Sequence, residues 1–514
     1  MNVNIEASAK DHGQLHQTLW EISQAAQRAV LPDAQSLARA RATLPRSLDG
    51  NGIGFDATRR HILEDIVPAL NHSSISPNYY GFVTGGVTPA ALFADSLVSA
   101  YDQNVQVHLT EHTIATDVEF VALGLLVDLL GFDLEWQNGT FTTGATASNI
   151  LGLACGREYV VRTALARKGV APIKSVGESG LFEAIQAAGL SGLRILSTMP
   201  HSSLVKAAGI LGFGRANVKD VSSKEDPLQF DLERLESELQ RQDKATIVAI
   251  SCGEVNTGHF ATDGIREMRA LRSLCDKYGA WLHVDGAFGI FGRILPDTPE
   301  FSTIKKGCEG IELADSLAGD AHKFLNVPYD CGFFFSRHRG LAMDVFQNAN
   351  AAYLTGGKSE VQSIPSPLNI GIENSRRFRA LPVYASLLAY GSSGYQVILQ
   401  KQIRLARKIA GWVFDHPKYN ALPEENDKQE MLERTFMVVL VSAKDDDLNR
   451  RLAANINATS KIFVSGTSWK GRPACRIAIS NWRVDEDRDF DIIREVLENV
   501  VEMGDERVEH PTCR

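Results

Sequence analysis

Short apolar runs that alternate with segments of helical periodicity restrict the fold of this chain more than any other feature. Strand-like runs cover residues 193–196, 246–251 and 281–284, and residues 263–278 place apolar side chains at helical spacing between the last two. Repeated β-α alternation of this kind is typical of a mostly parallel sheet with helices on both faces. We therefore predict an α/β fold.

Changes in apolar spacing and in proline content along the sequence divide the chain into three predicted regions. Residues 1–95 are predicted to form a helical segment, in which Leu15, Leu19 and Ile22 fall at helical spacing. Residues 96–370 form the predicted large domain. Residues 371–514 form a predicted small α+β domain that follows a proline-rich break.

Composition and charge exclude several classes of partner. The 514 residues carry a net charge of −9, without a block of basic residues, so nucleic acid and anionic membranes are not expected partners. No apolar run approaches the ~20 residues needed to span a bilayer. The seven cysteines are scattered, which predicts reduced thiols, a cytoplasmic location, and neither a disulfide framework nor a metal site.

Two residues in the second half of the predicted large domain carry a specific chemistry. Asp285 directly follows the strand-like run 281–284, and Lys323 lies further along in the run GDAHKF. A lysine that forms a Schiff base and an aspartate that pairs with a pyridinium nitrogen are what pyridoxal phosphate (PLP) requires. Either residue alone is commonplace, so the remaining motifs decide between a PLP site and a structural role.

Residues 142–149 (TTGATASN) run directly into a predicted helix. Small residues let the backbone approach an anion, and the free N–H groups at a helix start bind phosphate, with Thr146 adding a hydroxyl group. His201, just after the strand-like run 193–196, could stack on the pyridine ring. No glycine fingerprint for a dinucleotide follows a strand, so an NAD site is not favoured.

Five motifs in order give the chain a family resemblance: residues 144–149, 201–203, 253–258, 283–287 and 320–323. Together they resemble the group II PLP-dependent amino-acid decarboxylases, of which the aromatic L-amino-acid and tyrosine decarboxylases are the nearest well-known members. The similarity runs from about residue 76 to residue 482. It implies PLP fold type I, the aspartate aminotransferase-like fold, and a homodimer.

The resemblance also implies roles for individual residues. Lys323 would be the Schiff-base lysine, Asp285 the pyridinium partner and His201 the residue stacked on the ring. The other implied roles are phosphate binding for Ala145, Thr146 and His322, packing beneath the ring for Ala287, and lining of the substrate pocket for Tyr80, Phe82 and Thr84.

One departure from the family bears on the reaction. Aromatic decarboxylases carry a tyrosine on a loop before the Arg-Arg pair, and it protonates the α-carbon after CO2 leaves. The corresponding place here is near Pro367, where there is no tyrosine, and Tyr353 is the closest upstream candidate. We predict decarboxylation of an L-amino acid. Oxidative deamination to an aldehyde, a retro-aldol reaction and a non-catalytic protein of the same fold are the alternatives.

The substrate is only weakly indicated. Tyr79, Tyr80 and Phe82 favour an aromatic or bulky apolar side chain, or else are core or dimer contacts. Four arginines could each meet a carboxylate, although structural ion pairs or hydrogen bonds are the expectation for Arg376, Arg377, Arg379 and Arg476. Positions 283 and 285 share one face of a regular strand, so His283 is expected to contact Asp285, the cofactor or the core.

Overall fold

The computed structural model describes residue 17 and residues 29–48, 50–171, 175–348 and 364–509. The strands in this part of the chain are β1 (Tyr79–Tyr80), β2 (Gly139–Thr142), β3 (Gly192–Ser197), β4 (Val218–Asp220), β5 (Lys244–Ser251), β6 (Trp281–Asp285), β7 (Ser316–Asp320), β8 (Gly332–Ser336), β9 (Tyr419–Leu422), β10 (Val438–Ala443), β11 (Phe463–Trp469) and β12 (Arg472–Ala478).

The α-helices of the same ranges are α1 (Ala34–Thr43), α2 (Phe55–His61), α3 (Pro89–Tyr101), α4 (Ala115–Leu129), α5 (Ala145–Arg167), α6 (Val176–Ser179), α7 (Leu181–Ala187), α8 (Ser202–Ile210), α9 (Leu232–Leu239), α10 (Ile265–Tyr278), α11 (Ser302–Gly307), α12 (Ala321–Phe324), α13 (Arg339–Phe346), α14 (Ala380–Asp415), α15 (Lys428–Arg434), α16 (Asp446–Ala458) and α17 (Glu486–Glu509).

A seven-stranded sheet in the order β2-β8-β7-β6-β5-β3-β4 forms the centre of the large domain. The pairs from β4 through β3, β5 and β6 to β7 are parallel, and β8 is antiparallel to both of its neighbours. Every residue of β6, β7 and β8 is buried, as expected for strands with helices on both faces. The predicted α/β class and mostly parallel sheet are confirmed.

Helix α10 and its end illustrate how the local pattern determines an element. The helix covers Ile265–Tyr278, within the predicted 263–278, and buries Met268, Leu271 and Cys275. It ends at Gly279, whose φ of +66° is left-handed and favours glycine. The chain then enters β6 directly, which carries Asp285 to the carboxyl edge of the sheet.

A second sheet, in the order β1-β11-β12-β10-β9, forms the small C-terminal domain. Its strands from β11 to β9 are antiparallel, whereas β1 pairs in parallel with β11 and comes from the N-terminal region. The predicted helical segment 1–95 therefore also contributes a strand to the distant small domain. Its expected helix at residues 15–22 lies outside the described residues apart from Gln17, which is helical.

The long helix α14 joins the two domains. Its first half packs into the core of the large domain through Val383 and Leu387, and its second half packs into that of the small domain through Ile409 and Val413. Gly391, with a φ of +58°, kinks the helix within the part that packs against the large domain, because Tyr395 and Ile403 beyond it belong to the same core. The boundary predicted at residues 370–371 thus lies just before the connecting helix, and the exact division into domains stays a prediction.

Six of the seven cysteines fall within the described residues, and all six are buried free thiols. In the part of the chain that the structure describes, no helix combines the length and apolar character needed to cross a membrane.

Candidate active site

A cavity of about 290 Å³ opens at the carboxyl edge of the seven-stranded sheet. This is where ligands bind in open α/β sheets, because the loops that follow neighbouring parallel strands meet there. Seven of the residues predicted from the sequence line it together: Ala145, Thr146, His201, Asp285, Ala287, His322 and Lys323. They come from four separate stretches of the chain, and the fold brings them into one cavity.

Asp285 is the last residue of β6 and is 8% exposed. Its Oδ2 accepts a hydrogen bond of 2.9 Å from the Nδ2 group of Asn149, and its Oδ1 accepts one of 3.3 Å from the backbone N–H of Ala287. A buried carboxylate is costly unless it is hydrogen-bonded, and both oxygens meet this requirement. Asp285 therefore presents an anchored acceptor to the cavity.

Lys323 lies in the short helix α12, directly after β7. Its Nζ forms an ion pair of 3.0 Å with Oδ2 of Asp320, and it lies 5.7 Å from the ring centre of Phe288. The Lys323 side chain is 17% exposed, so the amine is held but remains accessible from the cavity. A nucleophilic amine needs this combination of a fixed position and access.

Helix α5 begins at the cavity, and its first turn is the predicted phosphate-binding element. Gly144, which precedes the helix, has a φ of +153°, and a Cβ there would come within 3.3 Å of the His322 ring. The N–H of Ala145 is already taken, because it donates to Oδ1 of Asp320 at 2.6 Å. The predicted contact of Ala145 with phosphate therefore cannot use this N–H, and the next residues of the turn, Thr146 and Ala147, carry that expectation.

His201 caps helix α8 on another wall of the cavity. Its Nδ1 accepts the backbone N–H of Ser203 at 3.2 Å and lies 2.7 Å from the Ser203 hydroxyl group. Burial lowers the pKa of His201, against the opposing charge of Asp285, so the imidazole is neutral at physiological pH. A neutral, flat ring with Nδ1 as acceptor can stack on an aromatic cofactor.

His322 precedes Lys323 and lies beside the start of α5. Its Nδ1 accepts the backbone N–H of Cys331 at 3.2 Å, and Nε2 is 3.6 Å from Oδ1 of Asp320. Burial lowers its pKa, partly offset by Asp320. The ring of Tyr329 packs against it at 4.4 Å. His322 is therefore a neutral donor at the end of the cavity where phosphate is expected.

The three residues expected to line a substrate pocket are placed differently. None of them is among the described residues that line the cavity with Lys323. Tyr80 is 1% exposed in the core of the small domain, where its hydroxyl group accepts a hydrogen bond from Asn78. Phe82 is 64% exposed, and buried Thr84 interacts with the phenol group of Tyr329. The substrate-pocket role of these residues stays a prediction. For Tyr80, β1 joins the small sheet and turns this side chain into its core.

The four arginines separate into two kinds. Three are in ion pairs: Arg376 with Glu119, Arg377 with Asp95 and Arg379 with Asp330. Arg476, on β12, is 6% exposed, and its Nε and Nη2 atoms are buried without a hydrogen-bond partner.

Burial lowers the pKa of Arg476 to about 10, against the nearby charge of Glu254, and Arg476 in turn lowers the pKa of His201. Structural ion pairs or hydrogen bonds were expected for all four arginines. For Arg476, the absence of hydrogen-bond partners on Nε and Nη2 argues against that expectation.

Sequence reasoning missed three residues that organise the cavity. Asp320 pairs with Lys323, while Asn149 and Ser203 connect Asp285 to His201. All three belong to quoted motifs, but contacts with distant segments connect them: Asn149 bonds to Asp285 and Ser203, and Asp320 accepts from Ala145. His283, which was expected near Asp285, bonds to Asn149.

The segment around Pro367, where the resemblance would place the family's loop tyrosine, is ordered in the structure. Residues Pro367–Asn369 form a 3₁₀ turn in which Pro367 and Leu368 are buried, and the N–H of Leu368 donates to Gln106. Tyr353, the nearest upstream candidate, lies outside the described residues.

Three groups around one cavity fit three separate parts of PLP. An amine, a hydrogen-bonded carboxylate and the start of a helix are the groups that the aldehyde, ring nitrogen and phosphate of PLP require. Each is contributed by a different loop at the carboxyl edge of the sheet.

Comparison with known proteins gives a consistent result. The sequence profile of the family described as "Pyridoxal-dependent decarboxylase conserved domain" matches residues 54–427. Tryptophan decarboxylase 1 of Oryza sativa subsp. japonica is 24% identical over 435 residues, which are 83% of this chain and 80% of that protein. Phenylacetaldehyde synthase of Arabidopsis thaliana is 23% identical over 452 residues, 85% of this chain and 84% of that one.

Among solved structures, the crystal structure of Oryza sativa TDC with PLP and tryptamine superposes with a TM-score of 0.79 at 21% identity, over 96% of this chain and 99% of that one. At this identity the match supports the fold, and the family profile, which covers well over half of the 514 residues, supports membership. With the amine, carboxylate and helix start arranged around one cavity, this chain belongs to the pyridoxal-dependent decarboxylase family and is a PLP-dependent amino-acid decarboxylase.

Proposed function

We propose that the protein removes CO2 from an L-amino acid with an aromatic or bulky apolar side chain and releases the amine. The observation that carries this proposal is the cavity in which Lys323, Asp285 and His201 meet the start of helix α5. When bound there, PLP supplies an electron-withdrawing ring that stabilises negative charge at the α-carbon of an amino acid. The protein's own residues do the rest.

Each residue of the cavity has a distinct part in this proposal. Lys323 would hold the cofactor covalently, and the amine of the substrate would replace it. The Asp285 carboxylate would hold the proton on the ring nitrogen, so that the ring stays electron-withdrawing. His201 would cover one face of the ring and Ala287 the other. Thr146, with N–H groups of the first turn of α5 and with His322, binds the phosphate.

The environment of Arg476 favours a substrate that carries a carboxylate. A buried guanidinium with two unpartnered donor nitrogens, whose charge lowers the pKa of His201, is suited to an anion that arrives with the substrate. Unsatisfied buried donors cost stability, so they are commonly retained where a ligand satisfies them. In this role Arg476 orients the substrate before its carboxylate is lost as CO2.

We also propose that the enzyme works as a homodimer. Helix α3 exposes Phe93, Leu97 and Tyr101 at a spacing of four residues, which places these side chains on one face, and Leu388 of the neighbouring helix α14 is exposed as well. Large apolar side chains on adjoining helices are typical of a surface that another chain covers. A cytoplasmic location, expected from the scattered reduced cysteines, stays a prediction.

Oxidative deamination to an aldehyde is the second candidate reaction. Two observations favour it: there is no tyrosine near Pro367, and the chain is 23% identical to a phenylacetaldehyde synthase. In that case CO2 is still lost, O2 is reduced to H2O2 and one water is consumed, and the aldehyde and ammonia are released in place of the amine.

One experiment separates the two reactions. The PLP-loaded protein is incubated with a panel of amino acids, with and without O2, while CO2, O2 and the products are followed by mass spectrometry. CO2 and amine without O2 uptake support the decarboxylase. Aldehyde, ammonia and O2 uptake contradict it and support the alternative.

A further inference from the structure

One buried amide group, that of Asn149, connects two walls of the cavity. Its Nδ2 donates to Oδ2 of Asp285 at 2.9 Å and to Oγ of Ser203 at 3.2 Å. The Ser203 hydroxyl group lies 2.7 Å from Nδ1 of His201 and can donate to it. The two hydrogens of one NH2 group thus set the positions of both Asp285 and His201.

The orientation of this amide depends on His283. Nε2 of His283 lies 2.9 Å from Oδ1 of Asn149. Because an amide oxygen only accepts hydrogen bonds, Nε2 must carry the ring proton. A flipped amide would turn its oxygen toward the carboxylate of Asp285 and its NH2 group toward the N–H of His283, so both contacts would become repulsive. The proton on Nε2 therefore selects the orientation in which Asn149 serves Asp285.

The position of that proton is in turn fixed on the other side of the ring. With Nε2 protonated, Nδ1 is an acceptor, and the Ser316 hydroxyl group lies 2.8 Å from it. The indole N–H of Trp281 donates to the same oxygen of Ser316 at 3.0 Å, so the serine proton points to His283. The bonds run in one direction, from Trp281 through Ser316 and His283 to Asn149.

The surroundings of His283 keep it neutral and immobile. It is fully buried, and burial lowers its pKa to about 4 although the charge of Asp285 opposes this shift. Gly152 of helix α5 lies directly over the ring, and a Cβ at that position would come within 2.4 Å of Cε1. Gly156, one turn further on, leaves similar room for Trp281. Two glycines at a spacing of four residues thus let α5 pack closely onto the rings of His283 and Trp281.

We propose that His283 is a positioning residue: through the amide of Asn149 it orients both the carboxylate of Asp285 and, by way of Ser203, the ring of His201 toward the cofactor. This inference rests on the proposed roles of Asp285 and His201. His283 does not touch the cavity itself, and it acts only through Asn149. One neutral ring beneath the sheet edge thereby sets the geometry of two cofactor contacts.

The test compares the affinity of the cofactor-free protein for PLP, measured by equilibrium dialysis without amino acid, among matched variants. His283→Leu removes both hydrogen bonds, whereas His283→Gln keeps a donor for Asn149. We expect PLP binding to weaken about tenfold or more in the leucine variant, as happens when partners of metal ligands are lost, and to stay within about threefold of wild type in the glutamine variant.

Two further variants separate positioning from loss of stability. Leu271 is a buried residue of helix α10 that takes no part in the hydrogen bonds of His283 and Asn149. Leu271→Ala should therefore lower the unfolding temperature and leave PLP affinity unchanged. Asn149→Leu should weaken PLP binding as His283→Leu does, and the double variant should lose little more than either single variant, because both act through one amide.

The positioning role of His283 would be overturned if His283→Leu bound PLP as tightly as wild type. Fully additive effects in the double variant would overturn it as well. The affinity measurement uses no amino acid, so it does not depend on the reaction. If the protein binds PLP but releases no CO2 from any amino acid, the proposed reaction is contradicted and the positioning role of His283 is not.

Discussion

The carboxylate of Asp320 joins two elements of the cavity: Oδ2 pairs with Nζ of Lys323 at 3.0 Å, and Oδ1 accepts the N–H of Ala145 at 2.6 Å. One side chain at the end of β7 thus holds the reactive amine and caps helix α5. The negative charge also favours the positive end of that helix. Lys323 and the turn that is predicted to bind phosphate are therefore fixed relative to each other before any cofactor arrives.

Removal of this carboxylate should destabilise the cofactor-free protein. Asp320→Ala leaves a largely buried ammonium group unpaired and an uncapped N–H, and we expect the free energy of unfolding to fall by about 2–4 kcal/mol. Asp320→Asn should lose less, because its amide oxygen can still accept from Ala145. Urea denaturation of the three proteins measures this. Equal midpoints for Asp320→Ala and wild type would show that the pair contributes nothing.

Replacement of Arg476 should change activity and stability in opposite directions. Arg476→Met removes the proposed partner of the substrate carboxylate, so kcat/KM should fall about 10- to 100-fold, mainly through KM. It also removes a buried cation with unpartnered donors, so the free energy of unfolding should stay equal or rise by about 1–3 kcal/mol. Steady-state kinetics and denaturation test both parts. Loss of stability with unchanged KM would indicate a structural role.

The buried His283 should make stability depend on pH. Its pKa is lowered from 6.5 to about 4 in the folded protein, so between these values the unfolded chain binds more protons than the folded one. Stability from this group is therefore complete above pH 6.5 and is lost as the pH falls toward 4.

We expect the free energy of unfolding of cofactor-free His283→Gln to fall less than that of wild type between pH 7 and pH 4.5, by about 2 kcal/mol. Carboxylates and the other histidines contribute equally to both proteins, so the difference isolates His283. Parallel pH curves would contradict this expectation.

Two glycine-to-alanine substitutions in helices should change the free energy of unfolding in opposite directions. Gly340→Ala in α13 meets no atom within 4 Å, so it should stabilise the protein by about 0.5–1 kcal/mol. Gly152→Ala in α5 would place its Cβ 2.4 Å from the ring of His283, so we expect a loss of about 1–3 kcal/mol. Urea denaturation compares them. Stabilisation by Gly152→Ala would show that α5 can shift away from the ring.

Local patterns account for the predicted residues that line the cavity together. The apolar run before Asp285 and the helical spacing in residues 265–278 are read over a few residues, and burial enforces them in any parallel sheet. Because the loops after parallel strands meet at one edge, Lys323, Asp285 and His201 could be expected to lie together once the sheet was predicted. The chemistry of an amine with a carboxylate then indicated the cofactor.

The tertiary structure alone decided which side chains touch. Tyr80 turns into the small-domain core because β1 pairs with β11, a strand several hundred residues away in the sequence. The lack of hydrogen-bond partners on two nitrogens of Arg476, and the hydrogen bonds of Asn149 to Asp285 and His283, likewise depend on distant packing. Residue types and spacing thus determined the α/β class and the cofactor, and they predict Lys323 as the reactive lysine. The orientation of the supporting groups came from contacts between distant segments, which a local pattern does not encode.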